Sequence, residues 1–342
     1  VKLIVITQRV DPDDPALGAT VPKLRALAER VDELVVLALD AVPTAFPPNV
    51  RVKLFGAPTQ LQRGLRFVAA LAPELRRRPV AVLAHMAPIY AVLAAPLVRA
   101  RGAPLLLWFT HWRRSPTLRL AERLSTRVLS VDARSFPINS RKLVAVGHGI
   151  EIGDLPLVSP HDGTLRLLAL GRTSPAKGLV ALVEAVAALP GVTLEICGPS
   201  LTAEESRHRD DLLRLIEELE LSGRVRVEAA VPRSRIHEVY GRCDVLANNM
   251  RAGALDKVVY EAAAAALPVL VASEGFDGLV GGIEPPLRFL QDDVASIVER
   301  VLAVAALSPD ERHVIGLELR RRVDSDHSVG HWADRVVEAA RP

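Results

Sequence analysis

Leu165-Arg166-Leu167-Leu168-Ala169-Leu170 runs directly into Gly171-Arg172-Thr173-Ser174-Pro175-Ala176-Lys177-Gly178. A short apolar run that stops at a glycine reads as a parallel strand buried on both faces, and the spacing from Gly178 to Leu189 is helical. Outward from this unit the alternation continues. Downstream, strands are predicted at Val192–Cys197, Val225–Glu228, Val245–Asn248 and Val269–Ala272, with helices at about Ala203–Leu221, Arg233–Tyr240, Asp256–Ala266 and Ala295–Leu307. Upstream, the strands are Lys2–Thr7, Glu33–Leu39, Val50–Phe55, Val80–Ala84, Leu105–Phe109, Arg127–Val131 and Leu143–Val146. The upstream helices are about Leu17–Arg30, Gln60–Arg77, Ile89–Arg99 and Pro116–Ser125. Strands alternating with helices of this length mean doubly wound α/β domains, and two successive sets mean two Rossmann-like domains.

The boundary is marked by Gly147-His148-Gly149 and then by Gly153, Pro156, Pro160 and Gly163, which place a linker at about 152–163. The expected organisation is an N-terminal domain over residues 1–155, a second domain over 156–328, and a terminal helix over 329–342 that crosses back to the first domain. In open α/β sheets ligands bind at the carboxyl ends of the strands, and two such domains facing a central cleft direct attention to the residues just after each strand.

Composition narrows the class. Of 342 residues, 49% are apolar and 24% charged, which excludes a disordered polar chain and suffices for two cores. Two cysteines, Cys197 and Cys243, make no disulfide framework and fit a reducing, cytoplasmic setting. The first apolar run, Leu3–Ile6, is too short for a signal peptide. Pro79–Val98 carries no Asp, Glu, Lys or Arg over 20 residues, a length that would allow a membrane span. His85, Pro88 and Pro96 divide it instead into a short strand and a short helix.

The net charge of +3 is unevenly spread: residues 1–155 carry a balance of +10 and the remainder −7. Abundant arginine, 37 against 6 lysines, is one explanation. An anionic partner for the basic half, a membrane surface or a phosphorylated substrate, is the other, with no nucleic acid expected. Gln60–Arg77 places Leu61, Leu65, Val68, Leu71 and Leu75 among Arg63, Arg66, Arg76 and Arg77. Such a helix ordinarily packs its apolar face on a sheet, and it is also of the kind that lies on an anionic bilayer.

Two strand ends carry chemistry. The loop Gly171–Gly178 opens a helix, whose N-terminus offers unpaired N–H groups and the positive end of a dipole. Arg172 can grip phosphate as a fork and Lys177 as a mobile point charge. The loop is neither a Walker A sequence nor a G-x-G-x-x-G fingerprint, so a dehydrogenase reading fails. The second is Gly253-Ala254-Leu255-Asp256-Lys257-Val258-Val259-Tyr260-Glu261-Ala262. Glu261 lies in a very apolar helix, where a carboxylate needs partners: the two hydroxyls of a ribose diol, or Lys257 one turn earlier.

The order Gly-Arg-x4-Lys-Gly, Ile196-Cys197-Gly198-Pro199, Cys243-Asp244-Val245, Glu261-Ala262 and Leu267-Pro268-Val269 resembles the nucleotide-sugar half of retaining glycosyltransferases of the GT-B fold, family 4. His85-Met86-Ala87-Pro88-Ile89-Tyr90, Trp108-Phe109-Thr110-His111 and Val146-Gly147-His148-Gly149-Ile150-Glu151 resemble a bacterial branch of that family, so that the likeness covers about residues 1–280. The resemblance implies that Arg172 and Lys177 bind the donor diphosphate and that Glu261, the second Glu of an E-x7-E motif, holds the ribose. It places Gly171, Gly198, Asp256 and Lys257 at the donor site, and Gly18 in the loop after the first strand. The first Glu of the motif falls on Gly253, with Asp256 nearby to take its place. His111, after the strand Leu105–Phe109, is expected near the donor sugar, and His85 and Tyr90 on the acceptor side.

The activity implied by the resemblance is transfer of a sugar, with retention, from a nucleoside-diphosphate sugar to a glycan or lipid-linked acceptor. The enzyme would be cytoplasmic, peripheral at the inner face of the plasma membrane. The resemblance implies no metal or other cofactor, and the sequence carries no His/Cys cluster with zinc spacing. Two alternatives share the architecture: a sugar-nucleotide epimerase, which the motif order fits less well, and an inactive nucleotide- or glycan-binding scaffold, for which Gly253 speaks.

Overall fold

A computed structural model describes the chain except residues 15–16, 77–79, 112, 154–156, 159–162, 251–254 and 342. It divides into two compact units, residues 1–149 with 326–342, and residues 150–325.

The first unit is built on seven strands: β1 (Lys2–Val10), β2 (Glu33–Ala41), β3 (Val50–Leu54), β4 (Val80–His85), β5 (Leu105–Trp108), β6 (Arg127–Ser130) and β7 (Leu143–Ala145). They form one sheet in the order β3-β2-β1-β4-β5-β6-β7, with every pairing parallel. β1 carries Leu3, Ile4, Val5 and Ile6 at no more than 2% exposure, because helices cover both faces of the sheet. Within the 79–98 segment the described residues form β4 and then the start of the helix Pro88–Arg99, and among the described residues no helix is long and apolar enough to cross a membrane.

The second unit holds β8 (Leu165–Leu170), β9 (Val192–Cys197), β10 (Val225–Glu228), β11 (Val245–Asn248) and β12 (Val269–Val271). Their order is β10-β9-β8-β11-β12, again parallel throughout. From β8 the chain winds outward through β9 and β10, then returns to the other side of β8 for β11 and β12. The carboxyl ends of β8 and β11 therefore flank the point where strand order reverses, the place where open parallel sheets leave a crevice for ligands.

Two helices go beyond the sequence expectation. Gln60–Glu74 buries Phe67 and Leu71, and Leu75 just beyond it is buried too, whereas Leu61, Leu65 and Val68 face solvent at 74%, 64% and 37% exposure. The apolar positions of this helix, whose sequence leaves open both packing on the sheet and contact with a bilayer, are thus split between a buried and an open face. The helix Pro309–His327 has no counterpart in the sequence expectation, because few of its positions are apolar and its buried stripe is narrow, Ile315, Leu319 and Val323 at four-residue intervals. Its signal is the capping box Ser308-Pro309-Asp310-Glu311: the Glu311 carboxylate accepts from the Ser308 N–H at 2.8 Å, and Ser308 Oγ accepts from the Glu311 N–H at 3.3 Å.

The terminal helix Val329–Ala339 belongs to the first unit, where it packs on the helix Thr20–Ala28. Trp332 meets Trp108 edge-on at 5.8 Å, and the Lys23 ammonium lies 5.1 Å and 5.2 Å from the two ring centroids. Arg30 reaches Asp334 at 2.6 Å.

At the opposite end of this sheet Glu74 is buried among three cations: Lys2 at 2.5 Å, Lys53 at 2.6 Å and Arg51 at 3.0 Å. Burial pushes its carboxyl pKa up, and the three cations outweigh this and hold it at about 2. A depressed carboxyl pKa contributes stability that is complete above the ordinary value near 4.5 and is lost as pH falls toward 2. Glu74→Gln leaves the buried Lys2 with only the more distant Glu33, at 3.7 Å, and in urea unfolding at neutral pH the full chain is expected to lose about 3 kcal/mol, a deficit that shrinks on acidification. An unchanged midpoint would show that the cluster contributes nothing.

Candidate functional site

The loop after β8 is shaped by close backbone contacts. The Gly171 N–H donates to the Cys197 carbonyl at 2.9 Å, so the ends of β8 and β9 remain paired as the loop begins. Gly198, at φ 154°, lies so near that a Cβ there would fall 2.0 Å from the Gly171 carbonyl oxygen. Thr173 ties the loop to the next segment, its N–H bonding the Pro199 carbonyl at 3.2 Å and its hydroxyl meeting Ser200 Oγ at 2.5 Å. One 3-10 turn, Pro175–Lys177, then delivers Lys177, and Gly178 at φ 58° opens the helix Leu179–Ala187.

β11 supplies the other wall. Asn249 donates to the Gly178 carbonyl at 2.8 Å and to Asp292 at 2.8 Å, and accepts from the Asp292 N–H at 3.0 Å. A Cβ on Gly178 would sit 2.3 Å from the Asn249 amide, so glycine is required both by its φ and by this contact. Leu170, Gly171, Arg172, Lys177, Asn248 and Asn249 are among the residues lining a small recess at the strand reversal.

Two cations stand at this recess, and each has an acidic partner. Arg172, 56% exposed, reaches the buried Glu205 at 3.0 Å. Glu205 is fixed by a reciprocal cap on the helix Ala203–Glu218, its N–H donating to Thr202 Oγ1 at 3.2 Å and its carboxylate accepting from the Leu201 N–H at 2.6 Å. Lys177 donates to the Leu170 carbonyl at 3.3 Å and to Asp256. Asp256 also accepts from Asn248 Nδ2 at 2.9 Å.

Glu261 lies one turn into the helix Lys257–Ala264 and is buried. Its carboxylate pairs with Arg233 at 2.5 Å and Lys257 at 3.1 Å. Burial raises its pKa, and the two cations overcome this and hold it at about 2, so it is ionised throughout the physiological range. Tyr240 is buried beside this group, and burial with the nearby Glu261 raises its phenol well above the ordinary value. Arg233, Glu205, Asn248, Asn249 and Tyr240 are not singled out by the sequence. They act through contacts made across the fold, and only Asn248-Asn249, two amides closing an apolar strand, leave a local trace.

Of the remaining candidates, Gly253 falls outside the described residues. Gly18 is buried in the turn before the helix Thr20–Ala28, its N–H donating to the Asp14 carbonyl at 2.8 Å. His111 follows β5 and is exposed; its Nδ1 accepts from the Arg113 N–H at 2.9 Å, which places the proton of the neutral ring on Nε2. His85, 6% exposed, stacks on Trp108 at 6.2 Å and meets Thr7 Oγ1 at 3.4 Å. Burial, with Lys23 adding to it, lowers its pKa to about 3, so the ring is neutral. Tyr90, 8% exposed, packs on Phe55 at 4.9 Å and Phe67 at 5.0 Å within the core of the first unit. The structure thus brings Gly171, Arg172, Lys177, Gly198 and Asp256 together at one strand reversal, with Lys257 and Glu261 on the helix that Asp256 begins. It buries both acceptor-side candidates. Among the described residues no group of three or more His, Cys, Asp or Glu side chains is placed to hold a metal ion.

Residues 158–281 match the family model described as glycosyl transferases group 1. In three dimensions the chain is similar to HepE of Anabaena, solved in complex with UDP, with a TM-score of 0.78 at 17% identity over 99% of each chain. The UDP-glucose complex of HepE gives 0.77 at 17% identity over 98% of each chain. Sucrose-phosphate synthase of Thermosynechococcus elongatus gives 0.77 at 15% identity, over 98% of this chain and 97% of that one. No curated protein matches in sequence. The fold is GT-B, with two Rossmann-like units on parallel sheets. The family match lies within the second unit and spans the residues that line the recess.

Proposed function

We propose that the protein moves a sugar, with retention of anomeric configuration, from a nucleoside-diphosphate sugar to a glycan or lipid-linked acceptor. The observation that carries this reading is the placement of Arg172 and Lys177 at the strand reversal of the second sheet, beside the helix that holds the ionised Glu261. Glu261, acceptor-only in its ionised state, takes hydrogen bonds from two ribose hydroxyls. Gly171 and Gly198 let the backbone approach the diphosphate, Lys257 stands beside Glu261 on the donor side, and Asp256 meets the Lys177 ammonium.

In the transfer, the bond from the anomeric carbon to the diphosphate oxygen breaks through an oxocarbenium-like state. The acceptor oxygen forms its bond on the same face, and the acceptor proton leaves with the departing phosphate. Negative charge builds on the diphosphate as the bond stretches, and Arg172 and Lys177 stabilise it most where it is largest. His111 donates from Nε2 to a sugar hydroxyl. No metal enters this scheme. The neighbour HepE was solved with UDP and with UDP-glucose, which favours a uridine donor as the first to try.

The membrane partner expected of the basic half gains support from the open face of the helix Gln60–Glu74. Exposed Leu61 and Leu65 lie in a stretch, residues 56–125, that contains 11 arginines and two acids, Glu74 and Glu122. Glu74 is buried, and Glu122 accepts from Ser140. Apolar side chains on a basic surface suit an anionic bilayer, in keeping with a protein at the inner face of the plasma membrane, on the cytoplasmic side.

Incubation with UDP-, GDP- and ADP-sugars is expected to release the nucleoside diphosphate from one of them. Lys177→Ala should cut turnover by about 10²–10³-fold, the cost of losing one transition-state donor, and far more than Glu261→Gln does. Equal losses at the two positions would contradict this division of roles, and no release from any donor would favour the inactive scaffold. In flotation, phosphatidylglycerol vesicles should carry the protein and phosphatidylcholine vesicles should not, with Leu61→Ser/Leu65→Ser abolishing the difference. Absence of binding to either vesicle would remove the membrane from the scheme.

A further inference from the structure

Asp256 occupies the N-cap of the helix Lys257–Ala264 with extended backbone angles, φ −72° and ψ 123°. From that position an aspartate ordinarily accepts hydrogen bonds from first-turn N–H groups. Here its side chain makes no capping bond. The carboxylate turns instead to Asn248 Nδ2 at 2.9 Å and to the Lys177 ammonium. Asn248 is 4% exposed at the end of β11, so the acid is anchored to the sheet. The other bond of Lys177 goes to the Leu170 carbonyl at 3.3 Å, which turns the ammonium toward the protein.

These pairs set the charge balance of the recess. Arg172 with Glu205, and Lys177 with Asp256, sum to zero formal charge. An incoming diphosphate must therefore compete with two carboxylates that are already in place. The two pairs differ in how they yield. Arg172 is 56% exposed although Glu205 is buried, so water reaches the guanidinium and screens the pair in part. The Lys177 and Asp256 side chains are 14% and 15% exposed, where an ion pair is far less screened. An ammonium has three N–H donors, so Lys177 can turn toward phosphate while its aliphatic stem stays in position.

We infer that Asp256 is a built-in competitor of the nucleoside diphosphate for Lys177: it pairs with the ammonium until the nucleotide binds and takes it back when the product leaves. The inference rests on the reading of Gly171–Gly178 as a diphosphate site, and it adds a specific part for an acid that the loop would otherwise not need. Binding energy at this lysine is lowered by the competition, and release of the spent nucleotide is correspondingly faster. Asn248 sets the position of the competing carboxylate.

Calorimetric titration of UDP, GDP and ADP into the full chain tests this. For whichever diphosphate the wild-type protein binds, Asp256→Asn is expected to tighten binding about tenfold, to slow dissociation and to deepen product inhibition. Asp256→Ser, which removes the acid by a different route, should shift affinity in the same direction. Weaker or unchanged affinity in both folded variants would overturn the inference, showing that the acid positions Lys177 rather than competing for it. If the wild-type chain binds none of the three, the diphosphate reading itself fails, and the inference with it.

Discussion

The second unit turns on how closely two strand ends approach each other. β8 and β9 stay hydrogen-bonded up to the Gly171 N–H, and the Gly198 backbone then passes so near the Gly171 carbonyl that no side chain fits between them. This contact sets the direction in which residues 172–177 leave the sheet. It keeps the recess open toward backbone and cations rather than filled by a side chain. The amide of Asn249 clamps the far end of the same loop on Gly178 and Asp292. A larger residue at either glycine would displace backbone, which costs about 1–3 kcal/mol in a packed region and moves every charge that the loop carries.

Charges inside the fold are held by one recurring device, a carboxylate met by cations strong enough to keep it ionised despite burial. Glu261 with Arg233 and Lys257, and Glu74 with Lys2, Lys53 and Arg51, both sit near a pKa of about 2 against the pull of burial. They serve different ends. Glu74 fastens the helix Gln60–Glu74 to strands β1 and β3. Glu261 holds an acceptor ready on the helix that follows β11, with Arg233 brought to it from the segment after β10. Lys177 and Asp256 are a further ion pair of the second unit, with Lys177 on the wall of the recess.

Much of the fold is legible in the amino-acid order. Buried parallel strands write themselves as uninterrupted apolar runs, and the alternation of Leu165–Leu170, Val192–Cys197 and Val245–Asn248 with helices leads to two Rossmann-like units. The positions of Arg172, Lys177 and Glu261 are legible because each lies just past a strand or within a turn of a helix start. The rest is carried by contacts between distant parts of the chain. Glu205, Arg233 and Tyr240 look like ordinary helix residues until the sheet brings them to Arg172 and Glu261. Tyr90 reads as an acceptor-side residue near the start of a helix, and its ring packs against Phe55 and Phe67. The face that Gln60–Glu74 buries is not legible from its apolar spacing alone: Phe67 and Leu71 seat the helix, and Leu61 and Leu65 stay outside. The helix Pro309–His327 escapes a periodicity reading because charged residues cover most of its circumference, with only its cap to declare it.

The claim that the loop after β8 is a diphosphate site is tested most directly by hydrogen–deuterium exchange of the full chain with and without saturating nucleoside diphosphate. Slowed exchange is expected over residues 171–179 and at the start of the helix Lys257–Ala264, where backbone N–H groups lie near the recess. Little change is expected at the opposite ends of the same strands. Protection confined to the first unit, or spread evenly over both sheets, would contradict the assignment.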